Sequence, residues 1–80
     1  MAYKKEFTYR ILEHHAVLEG KNDVTIELNV VSFCDAPPKW DIRAWKTKGG
    51  ERILMRGITL TDDGIDALAR ALNALGRGQK

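Results

Sequence analysis

The stretch Lys39-Trp40-Asp41-Ile42-Arg43-Ala44-Trp45-Lys46 decides the fold, because its alternate residues differ sharply in polarity. One set is Trp40, Ile42 and Ala44, and the other is Asp41, Arg43 and Trp45. Successive side chains of a β-strand point to opposite faces of a sheet. The stretch therefore predicts a strand with one apolar face, directed to a core, and one face that carries charge and an indole ring.

Three further strands are predicted around this one. They cover Phe7 to Glu13, Val24 to Phe33 and Arg52 to Leu60. The second places Val24, Ile26, Leu28 and Val30 on one face. Turn-forming clusters separate the strands at residues 20–23 and 48–51, and Pro37-Pro38 interrupts the pairing because proline has no N–H for a ladder. Gly57 indicates a bulge or a close backbone approach in the last strand.

The period of the apolar residues changes after the last strand. Ile65, Leu68, Ala69, Leu72 and Leu75 lie on one helical stripe. Thr61 is a suitable N-cap, Asp62 and Asp63 suit the positive end of the helix dipole, and Gly76 is a suitable C-terminal stop. The pattern predicts a helix from residue 62 to 75 whose stripe lies mostly on the sheet.

The predicted fold class is α+β: a four-stranded antiparallel curved sheet followed by one C-terminal helix, ββββα. The 80 residues form a single domain with its core at about residues 6–76 and a frayed tail at 77–80. Such a small domain buries only about 60% of its unfolded surface. With one cysteine it has no internal disulfide. Because one helix covers only one sheet face, a homodimer is the expected source of further burial.

Charge is distributed unevenly along the chain. The net charge is +2, yet six basic residues against two acidic residues give +4 between residues 36 and 57. The segments on either side, 1–35 and 58–75, each carry −2. A basic stripe of this kind is typical of a nucleic-acid-binding surface. A solvated, lysine-rich hairpin is the alternative interpretation.

Arg43 and Trp45 on one strand face suggest a chemical role. An exposed aromatic ring beside cations can stack an unpaired base and neutralise phosphate, and each stacked base contributes about 1–3 kcal/mol. Phe33, at the end of the second strand, is a second candidate platform. Trp45 as a cross-strand or interface aromatic, and Phe33 as ordinary hairpin packing, are the alternatives. Tyr3 and Tyr9 rank lower because they lie in or before an acidic stretch.

Other chemistries find less support in the sequence. His14 and His15 are neighbours, so in a strand their rings point to opposite faces and do not converge on a metal. Cys34 has no base nearby in sequence, and the first-turn aspartates are explained by the helix dipole. We expect no catalytic residues, no metal and no cofactor. No signal peptide or membrane-spanning run is recognisable, so a cytoplasmic protein, in some cases associated with the nucleoid, is expected.

Two blocks in order resemble a known family. They are Pro38-Lys39-Trp40-Asp41-Ile42-Arg43-Ala44-Trp45 and Arg56-Gly57-Ile58-Thr59-Leu60-Thr61, followed by a short amphipathic helix. This arrangement resembles the transcriptional coactivator family of positive cofactor four. Glu27-Leu28-Asn29-Val30-Val31-Ser32-Phe33 is similar to the bacterial YdbC-like branch. Residues 46–55 form a segment about two residues longer than in that branch.

The resemblance implies a homodimer that binds single-stranded DNA with little sequence preference and acts in transcription, replication or repair, with transcription or repair proteins as further partners. By position it implies a binding surface of Phe33, Lys39, Arg43, Trp45 and Arg56. The basic block adds Lys46, Lys48 and Arg52. Single-stranded RNA as the ligand, or a dimeric protein-interaction module whose basic face docks an acidic protein segment, are the alternatives. A metal-dependent nuclease using Asp62 and Asp63 is a more remote one.

Overall fold

The computed structural model describes residues 8–76 as one sheet and one helix. The elements are β1 (Tyr9–Lys21), β2 (Val24–Phe33), β3 (Lys39–Lys48), β4 (Glu51–Leu60) and α1 (Asp62–Ala74). The strands pair in the order β1-β2-β3-β4, each antiparallel to the next. The predicted ββββα architecture is confirmed. Residues 6 and 7 of the predicted core and the predicted frayed tail lie outside the described residues.

The strand register confirms the predicted division of β2 and β3 into two faces. Ile26, Leu28 and Val30 of β2 stand opposite Ala44, Ile42 and Trp40 of β3. We call this apolar side the outer face. Thr25, Glu27 and Asn29 stand opposite Trp45, Arg43 and Asp41, and we call this side the inner face. Each predicted face is therefore continuous across the two central strands.

Apart from Ser32, the buried residues of the described part of the chain lie on the inner face, contrary to the expectation that Trp40, Ile42 and Ala44 would form the core. Those three are only half-buried. The fully buried side chains are Val31, Trp45, Asn29 and Asp41. Val31 and Trp45 are the only apolar residues of the described part of the chain in the buried class. The single chain thus encloses a small, largely polar core and leaves its apolar face half open.

Strong curvature of the sheet explains how the inner face becomes buried. Tyr9 pairs with Phe33 at one end of β2, whereas Trp45 stands opposite Thr25 near the other end. Thr25 and Phe33 are eight residues apart, about 26 Å along a flat strand. Yet the rings of Tyr9 and Trp45 lie 5.4 Å apart, centroid to centroid. The sheet is therefore curved strongly enough for Tyr9, at the start of β1, to contact Trp45 of β3 over the inner face.

Bulges account for much of this curvature, since each adds a residue to one strand and increases the local twist. β1 has three register shifts, between residues 11 and 13, 14 and 16, and 17 and 19. β4 has one, where Met55 and Arg56 stand between the pairs Arg43–Gly57 and Trp45–Leu54. With these bulges β1 continues to Lys21, well beyond the predicted end at Glu13.

Gly57 stands beside the β4 bulge at a close backbone approach, as its position in the strand predicted. A Cβ at residue 57 would lie 2.5 Å from the Ile42 carbonyl oxygen and 2.6 Å from the Arg43 Cβ. No side chain fits at that separation. Glycine is therefore required for β4 to pair closely with β3 next to Arg43.

The ends of α1 match the prediction, but its apolar stripe does not lie on the sheet. Thr61 caps the helix by accepting a hydrogen bond from the Gly64 amide, 3.1 Å away, and Gly76 has φ +74° beyond the C-terminus. Only the start of α1 is anchored, where the Trp40 indole donates to Asp62. No residue of α1 is buried, and Leu75 just beyond it is 71% exposed. Leu68, Leu72 and Leu75 of the stripe remain exposed in a single chain.

Candidate nucleic-acid interface

The sheet separates the predicted binding residues into two groups. Five lie on the inner face by register or by contact: Phe33, Lys39, Arg43, Trp45 and Arg52. Lys46 and Lys48 belong to the outer face, opposite Ile53 and Glu51. Arg56 is in the β4 bulge and is exposed. A single surface that contains all eight predicted residues is therefore not formed within one chain.

Trp45 is buried beneath other side chains of the inner face and is not the exposed stacking ring that its position in sequence suggested. Its exposed fraction is 0%. The Tyr9 ring packs on one part of it, and the Arg52 guanidinium carbon lies 4.9 Å from its ring centroid. Its Nε1 is buried and has no hydrogen-bond partner. A base reaches this indole only after Arg52 or Tyr9 has moved.

Phe33 is the more accessible aromatic ring, since it is half-buried at the end of β2. The Arg43 guanidinium carbon lies 5.1 Å from its ring centroid, and the Tyr9 ring lies 6.4 Å away at an angle of 50°. Tyr9, Phe33 and Trp45 thus form an aromatic cluster with a guanidinium against two of the three rings. Cation–π contacts of this type orient arginine beside an aromatic surface.

Arg43 is held in place by a fork of hydrogen bonds. Its Nε and Nη2 donate to the buried Asp41 carboxylate at 3.0 and 2.8 Å, and its Nη1 donates to the Met55 carbonyl at 2.8 Å. The last contact satisfies a carbonyl in the β4 bulge. Bidentate guanidinium–carboxylate pairs are geometrically specific. Arg43 is therefore a fixed part of the inner face, with its charge balanced by Asp41.

A second charged network surrounds Glu27, which is 6% exposed. Its carboxylate accepts from Thr25 Oγ1 at 2.6 Å, from Arg52 Nη2 at 2.9 Å and from Asn29 Nδ2 at 3.4 Å. Burial raises the pKa of Glu27, but these hydrogen bonds and the charge of Arg52 outweigh it and hold the pKa below its ordinary value. Glu27 is thus an ionised partner that anchors Arg52 above Trp45.

The two histidines point to opposite faces, as predicted, and they lie in the middle of β1. His14 Nδ1 lies 2.6 Å from Asn29 Oδ1 and 3.7 Å from Glu27 Oε1 on the inner face. His15 Nε2 lies 2.8 Å from Glu13 Oε1, and its ring packs on Trp40 of the outer face. His14 therefore extends the Glu27 network, whereas His15 does not.

Four of the predicted cations make no ion pair within residues 8–76, in contrast to Arg43 and Arg52. They are Lys39, Lys46, Lys48 and Arg56. Lys39 stands opposite Val31 on the inner face, at the same end of the sheet as Phe33. It is the unpaired cation of the basic block that lies closest in register to the aromatic cluster.

Sequence reasoning ranked Tyr9 low and did not assign a role in the site to two further inner-face residues, Glu27 and Asn29. The signal for the last two is the polar set of β2, since three alternate polar residues in an otherwise apolar strand indicate a second buried or functional face. Tyr9 has no comparable signal. Its contact with Trp45 depends on the curl of the sheet, which strand periodicity does not report.

Two of the candidate residues for metal and thiol chemistry, Asp62 and Cys34, lie outside the strands of the sheet. Within residues 8–76 no three His, Cys, Asp or Glu side chains gather in a way that would hold a metal ion. Asp62 is instead the acceptor of the Trp40 indole N–H. Cys34 is an exposed free thiol in the turn after β2. No helix in the described part of the chain is long and apolar enough to span a bilayer.

The chain matches no family model, and no curated protein matches it. Functional conclusions therefore depend on the geometry of the inner face and on the chemistry of its residues.

Proposed function

We propose that this protein is a homodimeric, single-stranded DNA-binding protein with little sequence preference that acts in transcription, replication or repair and has no catalytic activity. The observation that carries the proposal is the inner-face cluster of Tyr9, Phe33 and Trp45, with guanidinium groups against two of its rings. Stacking surfaces beside cations are the recurring means of holding unpaired bases.

The concave shape of the inner face supports a single strand as the ligand. Phe33 and Tyr9 are half-buried and present ring surface at one end of the curl, and the unpaired Lys39 lies beside them. A single strand exposes its bases for stacking, whereas a duplex keeps them paired. We therefore assign base stacking first to Phe33 and phosphate contact first to Lys39.

The apolar surface left free supports the homodimer. Ile58 of the outer face is 56% exposed, and Leu68 and Leu72 of the helix stripe are exposed as well. A monomer whose only buried apolar residues in the described part are Val31 and Trp45 has little hydrophobic stabilisation. A second copy that covers the outer face and the stripe would supply the missing burial and leave both inner faces available.

The resemblance to the positive cofactor four family agrees with this assignment. It rests on residues 38–45 and 56–61, which lie in β3 and at the end of β4, next to each other in the sheet. The resemblance supports DNA over RNA and a role in transcription, replication or repair. Base stacking itself makes no contact with the 2′-OH, so stacking alone does not distinguish RNA from DNA.

The test is a titration of the full chain with oligo-dT, followed by tryptophan fluorescence at several salt concentrations. Trp45 is unsuitable for the test because removing a fully buried ring would disturb the fold. Phe33→Ala should weaken binding by about 1–3 kcal/mol. Lys39→Gln should weaken binding and should reduce by about 0.7 the slope of the logarithm of the binding constant against the logarithm of salt concentration, which we call the salt slope. The matched Lys48→Gln on the outer face should have a smaller effect on both the affinity and the salt slope.

Competition experiments separate the proposal from its rivals. Duplex DNA that competes as well as oligo-dT would contradict base stacking. Stronger competition by oligo-U would make RNA the ligand. An acidic protein segment as partner would leave Phe33→Ala without effect on nucleic acid and would depend on the cations alone. The absence of any salt-dependent binding at low ionic strength would overturn the proposed function.

A further inference from the structure

The free chain keeps its best stacking surface covered. Trp45 is the largest fully buried side chain on the inner face, and the Arg52 guanidinium lies against its ring. Arg52 reaches this position across the sheet because its Nη2 bonds to Glu27 Oε1, 2.9 Å away. Glu27 is itself held by Thr25 and Asn29, so the anchor is rigid.

We propose that Glu27 and Arg52 form a latch over Trp45, and that a nucleic-acid phosphate opens it by replacing the Glu27 carboxylate as the partner of Arg52. This inference rests on the proposed function and adds its regulation. The Arg52 guanidinium occupies the ring face that a base would take. A strand that engages Arg52 through phosphate therefore exposes the indole in the same step.

The exposure of the two partners suits this exchange. The Arg52 side chain is 40% exposed, whereas that of Glu27 is 7% exposed. The arginine is thus the moving part, and the carboxylate is the fixed part. Guanidinium binds phosphate and carboxylate in the same bidentate manner, so the exchange keeps its charge paired throughout. Thr25 and Asn29 continue to bond to Glu27 after Arg52 has left.

A second observation shows that the covered state is not fully satisfied. Trp45 Nε1 is a buried donor without a partner. A buried N–H that makes no hydrogen bond is unfavourable, because it has lost water and gained nothing. A ligand that rearranges the side chains packed around Trp45 can supply an acceptor for this N–H. A ligand that supplies both a phosphate for Arg52 and a base for Trp45 therefore favours the state in which Arg52 has left Glu27.

The first measurement needs no nucleic acid. In a Trp40→Phe background, Trp45 is the only tryptophan of the chain, and its accessibility can be followed by acrylamide quenching. Glu27→Gln and Arg52→Gln should both increase quenching of Trp45. The matched control is Glu51→Gln, next to Arg52 in sequence, which removes the same charge from an exposed site. Quenching that is equal in all three variants would overturn the latch.

The second measurement is oligo-dT binding by the same variants. Glu27→Gln should tighten binding roughly fivefold beyond Glu51→Gln, because Arg52 no longer has to leave a carboxylate. Arg52→Gln uncovers the ring but loses the phosphate contact, so its salt slope should fall by about 0.7. A parent protein that binds while Glu27→Gln equals Glu51→Gln would overturn the latch alone. A parent that does not bind would overturn the proposed function and the latch together.

Discussion

At the scale of single residues, the inner face is organised by two carboxylate–guanidinium pairs of different mobility. The Asp41–Arg43 pair is shielded from solvent and held in place, since the Arg43 side chain is 12% exposed and its donors are shared between Asp41 and Met55. The Glu27–Arg52 pair has one buried and one half-exposed member. We therefore regard the first pair as part of the framework and the second as the part that responds to a ligand.

Glu27 should make the stability of the protein depend on pH in the acid range. Its folded-state pKa is lower than the ordinary 4.5, so its stabilising effect is complete above that pH and is lost as pH falls through the folded value. The basic side chains around it are Arg52, His14 and, across the β2–β3 pair, Arg43. Urea unfolding should show a steeper loss of free energy below about pH 4.5 in the parent than in Glu27→Gln. Identical pH profiles for the two proteins would contradict this role.

At the scale of elements, the pairing of β3 with β4 depends on the absence of a side chain at residue 57. Gly57 stands opposite Arg43, and in the β4 bulge just before it the Met55 carbonyl accepts a hydrogen bond from Arg43 Nη1. The helix beyond β4 is well capped, and among the strands of the described part of the chain it contacts β3 and β4, with Asp62 accepting from the Trp40 indole. The last strand therefore determines both the position of Arg43 and the direction in which α1 leaves the sheet.

Gly57→Ala should destabilise the fold by about 1–3 kcal/mol, because the added methyl group overlaps with the Ile42 carbonyl and the Arg43 Cβ. The control is Gly20→Ala in β1. A Cβ at residue 20 meets nothing closer than 3.6 Å, and that substitution should change stability by less than about 1 kcal/mol. Chemical denaturation measures both differences. Equal effects at the two positions would show that the close approach has no structural importance.

At the scale of the whole molecule, much of the apolar surface of a single chain remains exposed to solvent. The outer face is half-buried, Leu68 and Leu72 of the helix stripe are exposed, and the buried core is mostly polar. Curling of the sheet buries the inner face without help from the helix. The outer face and the stripe are then left for a second copy in the proposed dimer.

The proposed dimer should be sensitive to charge on the helix stripe. Leu72→Glu places a carboxylate within the exposed stripe and should convert the dimer to a monomer with a much lower melting temperature. Ala67→Glu, on the opposite side of α1, is the matched control and should leave the dimer intact. Light scattering coupled to size-exclusion chromatography gives the mass directly. A parent protein that elutes as a monomer at micromolar concentration would contradict the dimer.

The sequence by itself determined the elements and the faces. Alternation in β2 and β3, the proline break, the turn glycines, the Thr61 cap and Gly76 are local signals, because each depends on neighbours within a few residues. The tertiary structure decided which face is buried. Curvature accumulates over bulges in two strands, and no local pattern reports the sum. That curvature brings Tyr9 onto Trp45, and the β3–β4 register places Arg52 diagonally against the same ring. The predicted stacking residue therefore lies beneath Tyr9 and Arg52, and Phe33 is the more accessible ring.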